Sequence, residues 1–315
     1  MADGDNWEKQ TLEKLALAAV QEQRRSRQWG IFFKLLGFIY LFLLLFTAMG
    51  WFSRAEVPTT KMHTALVELQ GIIGPNTDAS ADKIIDGLQA AFKDKHTKGV
   101  ILRINSPGGS PVQAGRINDE IRRLRAKYPK IPLYAVVEDI CASGGYYVAV
   151  AADRIYVDKA SLIGSIGVLM DGFGFTGTMQ KLGVERRLLT AGKNKGFLDP
   201  FSPLNPDQET YAKNMLEEIH QQFISVVRQG RGTRLKETPD TFSGLIWSGE
   251  KGVQLGLADA IGSTDYVARE VIKAEEIVDY TPQENFAERI AKKFGATMAQ
   301  TFLSPVSQQS GAVLR

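Results

Sequence analysis

Cysteine is almost absent from this chain. Cys141 stands alone among 315 residues, so no intrachain disulfide can form. A small disulfide-stapled fold is thereby excluded, while the redox compartment stays open. Histidine is nearly as scarce, with His63, His96 and His220 the full set. No paired His/Cys spacing suits zinc, and no GxxxxGK[ST] phosphate loop occurs, so no metal or cofactor is expected. Charge of one sign is lacking too: 38 basic against 35 acidic residues leave a net +3. Without a basic stripe interleaved with aromatics, nucleic acid is not an expected partner. Internal repeats and low-complexity runs are also missing.

One long hydrophobic run is present. Ile31 to Phe52 reads IFFKLLGFIYLFLLLFTAMGWF, apolar except for Lys34. At ~1.5 Å rise per residue such a helix spans roughly 33 Å, enough to cross a hydrocarbon core. Lys34 can snorkel, and Trp29 and Trp51 sit where interfacial aromatic belts form. A cleaved secretory leader fits less well, because the run is long, starts late and lacks a small-x-small site. Basic residues cluster on its N-terminal side (Lys9, Lys14, Arg24, Arg25, Arg27), against Arg54 and Lys61 beyond it. The positive-inside bias therefore predicts a cytoplasmic N-terminus, a single pass through a bacterial inner membrane, and a periplasmic domain. The expected divisions are a cytoplasmic segment 1–30, a span 31–52, a linker 53–64, a domain 65–282 and a tail 283–315.

From Ala65 the pattern alternates. ALVELQGII (65–73) reads as a strand, and 80–95 places Ile84, Ile85, Leu88 and Phe92 on one helical face. GVILRIN (99–105) is a buried strand, followed by helical spacing through Val112, Ile117, Ile121 and Leu124. PLYAVVE (132–138) and 154–157 give further strands. This order predicts an α/β fold of βαβ units with a largely parallel sheet. A long helix over 206–228 starts at Pro206, with Tyr211, Met215, Ile219, Phe223 and Val226 expected inward. A basic amphipathic stretch follows at 285–302. The N-terminal 28 residues are compatible with either a surface helix or disorder.

Glycine-containing turns after strands carry the candidate chemistry. In Ser106-Pro107-Gly108-Gly109, unobstructed backbone N–H groups can serve as oxyanion donors, or the turn can simply connect strand to helix. In Cys141-Ala142-Ser143-Gly144-Gly145, Ser143 is a nucleophile presented at a helix N-terminus, or a plain N-cap. The two glycines after it favour the first reading. A serine nucleophile needs a base. His63 falls in the expected linker, His96 in a charged loop and His220 in mid-helix, so none adjoins a strand end. A lysine can act instead where burial leaves it neutral, and Lys195 in AGKNKGF (191–197) is a candidate, beside the alternative that it is a solvated surface charge.

Five ordered motifs resemble one family: INSPGG (104–109), ASGGYY (142–147), AADRIYVDKASLIGSIGV (151–168), GxxK (192–195) and WSGEKGVQLGLADAIG (247–262). Over about residues 65–275 the chain is similar to the signal peptide peptidase A family of serine peptidases (family S49), in its short, single-repeat form. The resemblance implies a crotonase/Clp-protease-like α/β fold, Ser143 as nucleophile and Lys195 as general base, 52 residues apart. It implies Ser165 as the residue orienting the lysine, and N–H groups of Gly109 (or adjacent Gly108) and Gly144 as the oxyanion hole. Leu162, Ile163, Ile166 and Val168 are expected to line an apolar pocket. The expected substrates are remnant signal peptides and other hydrophobic peptides, cut by a homo-oligomer whose sites are shared between subunits. The rival readings are an inactive membrane-anchored scaffold of the same fold and an acyl-CoA enzyme.

Overall fold

The computed structural model describes residues 4–48 and 61–282. The chain divides into two units, Thr59–Pro282 and the two terminal segments together. In the terminal unit, α1 (Gly4–Ala48) is a single helix of 45 residues. The segment before Ile31 is thus helical from Gly4 onward and continuous with the apolar run. Within it, Lys14–Phe46 contains an 18-residue window with a mean hydropathy of 2.2 and is long and apolar enough to cross a membrane. Phe38, Phe42 and Leu41 stand exposed on it, as a helix surrounded by lipid would present them. Residues 49–52 of the expected span, 53–60 of the expected linker and the tail from 283 lie outside the described residues.

The second unit is built on one eight-stranded sheet. Its strands are β1 (His63–Gln70), β2 (Thr97–Ser106), β3 (Leu133–Ala142), β4 (Arg154–Val157), β5 (Leu162–Gly164), β6 (Ile246–Ser248), β7 (Ala260–Ile261) and β8 (Ile277–Asp279). The order runs β6-β5-β3-β2-β1-β8, with β4 pairing β3 and β7. Every pairing is parallel except β5 with β6. The first half of β3 pairs β4 through Tyr134–Val136, and the second half pairs β5 through Ile140–Ala142. This split brings the short β5 strand beside the C-terminal end of β3.

Near-continuous apolar runs such as Val100–Leu102 fit a sheet buried on both faces. Ala65, Val67 and Leu69 enter the larger core beneath α2 (Ala81–Lys93), α3 (Pro111–Lys127) and α4 (Gly144–Ala149). Leu66, Ile101 and Val136 point the other way, under Val267, Ala268 and Ile272 of a turn of π-helix that follows α8 (Thr264–Tyr266). Fully buried side chains such as Leu88, Phe92 and Ile121 each contribute about 1.5–3 kcal/mol. Ser110 caps α3 by accepting the Gln113 N–H, and Pro111 occupies its first turn.

Three expectations change. β1 begins at His63, which is fully buried, so this histidine belongs to the domain and not to the linker. Val112 is exposed, because it stands about 140° around α3 from Ile117. Tyr211 is exposed on α6 (Pro206–Arg231), whose buried stripe is instead Ala212, Phe223, Ile224, Val227 and Arg231. The helices α5 (Thr176–Lys181) and α7 (Gly249–Gln254) complete the unit.

Candidate active site

Ser143 joins the end of β3 to the start of α4. Its backbone sits at φ 50°, ψ −121°, a conformation that L-residues avoid and that stores on the order of 1–3 kcal/mol. The strain is held by two hydrogen bonds: the Ser143 N–H donates to the Gly164 carbonyl at 2.8 Å, and the Ser143 carbonyl accepts from Tyr147 N–H at 2.9 Å. No side-chain capping bond is made, so Ser143 does not act as an ordinary N-cap. A strained serine on a sharp strand-to-helix turn is the geometry that exposes a nucleophilic hydroxyl.

The glycine turn after β2 packs directly on this elbow. Ser106 Oγ donates to the Gly71 carbonyl at 2.6 Å and accepts the Gly108 N–H at 3.1 Å. The bridge between Gly109 and Ile73 uses the Gly108 carbonyl and the Ser110 N–H, leaving the Gly109 N–H outside that ladder. A Cβ on Gly108 (φ 101°) would lie 2.7 Å from the Gly144 nitrogen, and one on Gly109 (φ 144°) 2.2 Å from the Ile73 carbonyl oxygen. A Cβ on Gly144 would lie 3.3 Å from the Gly109 nitrogen. The Gly109 and Gly144 amides are therefore close neighbours that no side chain separates, while the Gly108 N–H is already engaged.

A profile of Peptidase family S49 matches residues 125–278. A Methanocaldococcus jannaschii protein named as a candidate protease is 33% identical over 218 residues, covering 68% of this chain and 69% of its own. The chain belongs to peptidase family S49. An Enterococcus faecium protein named as a candidate signal peptide peptidase SppA is 30% identical over 194 residues, 62% of this chain and 56% of that one. A Brucella melitensis protein named Na(+)/H(+) antiporter NhaA is 42% identical over 209 residues, and the match spans only 28% of its length. Its name describes a chain of which most is unaligned. The α/β sheet described above is the Clp-protease-like fold of family S49.

Against that family pattern, the candidate residues fall into two groups. Ser165 lies next to the carbonyl that holds Ser143 and is also left-handed, at φ 51°; its N–H donates to the Leu245 carbonyl at 2.7 Å. Lys195 makes no hydrogen bond to Ser143 within the single chain. It is exposed in the turns before α6, and its ammonium forms no ion pair or hydrogen bond among the described residues. Of the four expected pocket residues, Ile163 and Ile166 are fully buried in the core. Leu162 is exposed and Val168 half-buried, so only these two face outward. Ile163 points inward because it packs on Gly252, where a Cβ would come within 2.2 Å of its Cδ1.

The histidines are engaged elsewhere. His63 Nε2 lies 2.9 Å from Tyr280 Oη, His96 Nδ1 lies 3.3 Å from Asp94, and His220 Nε2 contacts the Ile166 carbonyl at 3.1 Å. Burial pushes the Cys141 thiol well above its ordinary range, which removes the thiolate a cysteine nucleophile needs. The expected site residues do not include a buried cation at the end of α6. Arg231 is 1% exposed; its Nε donates to the Gly256 carbonyl and its Nη1 to Asp259, both at 2.8 Å. Asp259 also accepts the Ile155 N–H at 2.7 Å and an Arg234 Nη1 bond at 3.1 Å. Neither periodicity nor composition marks Arg231, although Asp259 lies inside the WSGE…DAIG motif.

Residues 169–204 form an extension with an apolar exterior, including Leu169, Phe173, Leu182, Leu189 (94% exposed) and Leu204. Arg186 pairs with Asp199 at 3.1 Å and lies over the Phe201 ring, which stacks on Phe175. A cavity of about 920 Å³ opens between this extension and α6.

Proposed function

We propose that this chain is a membrane-anchored serine endopeptidase that cuts remnant signal peptides and other hydrophobic peptides, with Ser143 as nucleophile and Lys195 of a neighbouring copy as general base. The observation that carries this reading is the backbone of Ser143, a non-glycine residue held at φ 50° beside the Gly109 and Gly144 amides. Strain of this kind persists only where the surroundings over-determine it, and it clusters at reactive groups.

In the proposed reaction, neutral Lys195 takes the Ser143 proton while Oγ attacks the substrate carbonyl. The N–H groups of Gly109 and Gly144 stabilise the oxyanion. Lys195 then protonates the leaving amine, and water hydrolyses the acyl-enzyme by the reverse route. Gly109 is preferred to Gly108 as donor because the Gly108 N–H is bonded to Ser106 Oγ. Ser165 orients the lysine, and Leu162 and Val168 offer apolar contacts to the substrate.

The exposure of Lys195 and the apolar exterior of residues 169–204 both support a shared site. Contiguous apolar surface on a soluble domain marks an interaction face, and a second copy covering it would withdraw the lysine from water, which disfavours an ammonium. The apolar length of α1 and the basic residues on its N-terminal side support anchoring with that side cytoplasmic, which would put the domain on the side where secreted chains leave their signal peptides. The alternative, an inactive scaffold, is favoured by the lack of a Ser143–Lys195 hydrogen bond within one chain.

The test is hydrolysis of a fluorogenic hydrophobic peptide by the full chain in detergent. Wild type should cleave, Ser143→Ala and Lys195→Ala should be inert while folded, and a fluorophosphonate should label Ser143. Mixing the two inert variants should restore part of the activity through sites that draw an intact serine from one copy and an intact lysine from the other. Inert wild type that remains oligomeric and unlabelled would establish the scaffold.

A further inference from the structure

One side chain of α6 reaches the loop behind Ser143. His220 Nε2 lies 3.1 Å from the Ile166 carbonyl oxygen. A carbonyl only accepts, so Nε2 carries the proton and donates. Ile166 follows Ser165, and four hydrogen bonds fix residues 164–167. The Gly164 carbonyl accepts the Ser143 N–H, the Ser165 N–H donates to Leu245, the Ser165 carbonyl accepts the Gly167 N–H, and His220 holds Ile166. The loop thus ties the nucleophile elbow, the segment before β6 and α6 together. Only His220 among these ties is a side chain.

We propose that His220 is a positioning residue for the Ser143 site: by clamping the Ile166 carbonyl it keeps Ser165 left-handed beside the elbow. This inference rests on the roles proposed above for Ser143 and Ser165. Ser165 at φ 51° is held against an intrinsic preference for negative φ. Its conformation therefore depends on the bonds on either side, Leu245 before it and His220 after it. With the clamp gone, the loop can relax toward an unstrained backbone, carrying the Ser165 hydroxyl and the Gly164 carbonyl with it. The helix itself does not need His220, since Phe223, Ile224 and Val227 anchor it in the core one turn further on. His220 stands where α6 passes from its exposed N-terminal half, under the 169–204 extension, to its buried C-terminal half.

The experiment compares full-length wild type, His220→Leu and His220→Gln on the fluorogenic peptide, with thermal unfolding measured in parallel. A displacement of about 1 Å at a catalytic group costs on the order of 10²-fold, so His220→Leu should lower kcat by about 10- to 100-fold with KM changed less than about threefold. His220→Gln, whose amide N–H replaces the Nε2 donor, should recover to within about threefold of wild type. If His220→Leu does not fold, His220→Asn supplies the loss arm, because its amide is one methylene too short to reach Ile166. In a Ser165→Ala background the further loss on removing the donor should disappear. Unchanged kcat in His220→Leu, a Gln variant no better than Leu while equally folded, or full additivity with Ser165→Ala each overturns the inference. A Ser165→Ala variant with wild-type kcat overturns it as well, by removing the residue through which it acts. Failure of the underlying site assignment shows separately, as activity retained by Ser143→Ala.

Discussion

Replacing Asp259 by Asn should destabilise the domain severely, because it strands a buried cation. Arg231 is 1% exposed and Asp259 11%, so water cannot take over the lost interaction. In the native chain the Arg231 guanidinium bonds Asp259 and the Gly256 carbonyl, while its Nη2 has no hydrogen-bond partner among the described residues. Removing one member of a buried ion pair costs about 3–5 kcal/mol, most of it the desolvation of the charge left behind. Asn keeps an oxygen that can accept the Ile155 N–H, so the substitution removes mainly charge. At about 2–4 °C per kcal/mol for a domain of this size, Tm should fall by roughly 6–20 °C. The assay is thermal unfolding of the full chain in detergent, followed by circular dichroism. Adding Arg231→Met to Asp259→Asn removes the stranded cation and should recover at least half of the loss, since buried ion pairs are often replaceable by apolar groups. A single-variant drop below about 2 °C, or a double variant less stable than the single, would refute the reasoning.

The same pair sets an acid limit. Burial pushes the Asp259 carboxyl upward, but the hydrogen bond and charge of Arg231, with the Ile155 N–H and Arg234, hold it below its ordinary 3.8 overall. A depressed folded value means that this contribution is complete above pH 3.8 and is lost as pH falls through the lower folded value. Urea midpoints of wild type should therefore fall more steeply below that pH than those of Asp259→Asn. Ser143→Gly should abolish peptide hydrolysis while raising stability by about 1 kcal/mol, because glycine adopts φ 50° without strain; a lowered Tm would count against stored strain. Gly109→Ala places a methyl 2.2 Å from the Ile73 carbonyl oxygen. It should cut kcat by about 10²–10³-fold through displacement of the oxyanion donor, and wild-type kcat in a folded variant would exclude Gly109 from that role.

Much of the architecture was legible in local pattern. The apolar runs at 65–73, 99–105 and 132–138 signal strands buried on both faces, and the alternation with amphipathic helices signals parallel pairing. Pro206 marks the start of α6 through chemistry that acts over two or three residues. The nucleophile candidate was legible for a related reason: Ser143 is followed by glycines, and glycine is needed where backbones approach. Longer-range features were not legible. Arg231 and Ile163 take their burial from partners far along the chain, and Tyr211 is left exposed, so local periodicity misleads or says nothing. β5 to β8 are two or three residues long, too short for a period to register.

By itself, then, the sequence determines the apolar helix, the parallel core strands, the family motifs and the candidate serine, because each depends on residues within a few positions of one another. Tertiary structure alone decides that Gly108 is engaged and Gly109 is not, that Ile163 and Ile166 face the core, and that Arg231 meets Asp259. It also leaves Lys195 exposed, with no ion pair or hydrogen bond among the described residues, and joins His220 to the loop of Ser165. Apart from the Gly108–Ser106 bond, which spans two residues, those outcomes rest on hydrogen bonds and contacts spanning tens of residues, which depend on how the sheet closes and on nothing a local pattern carries.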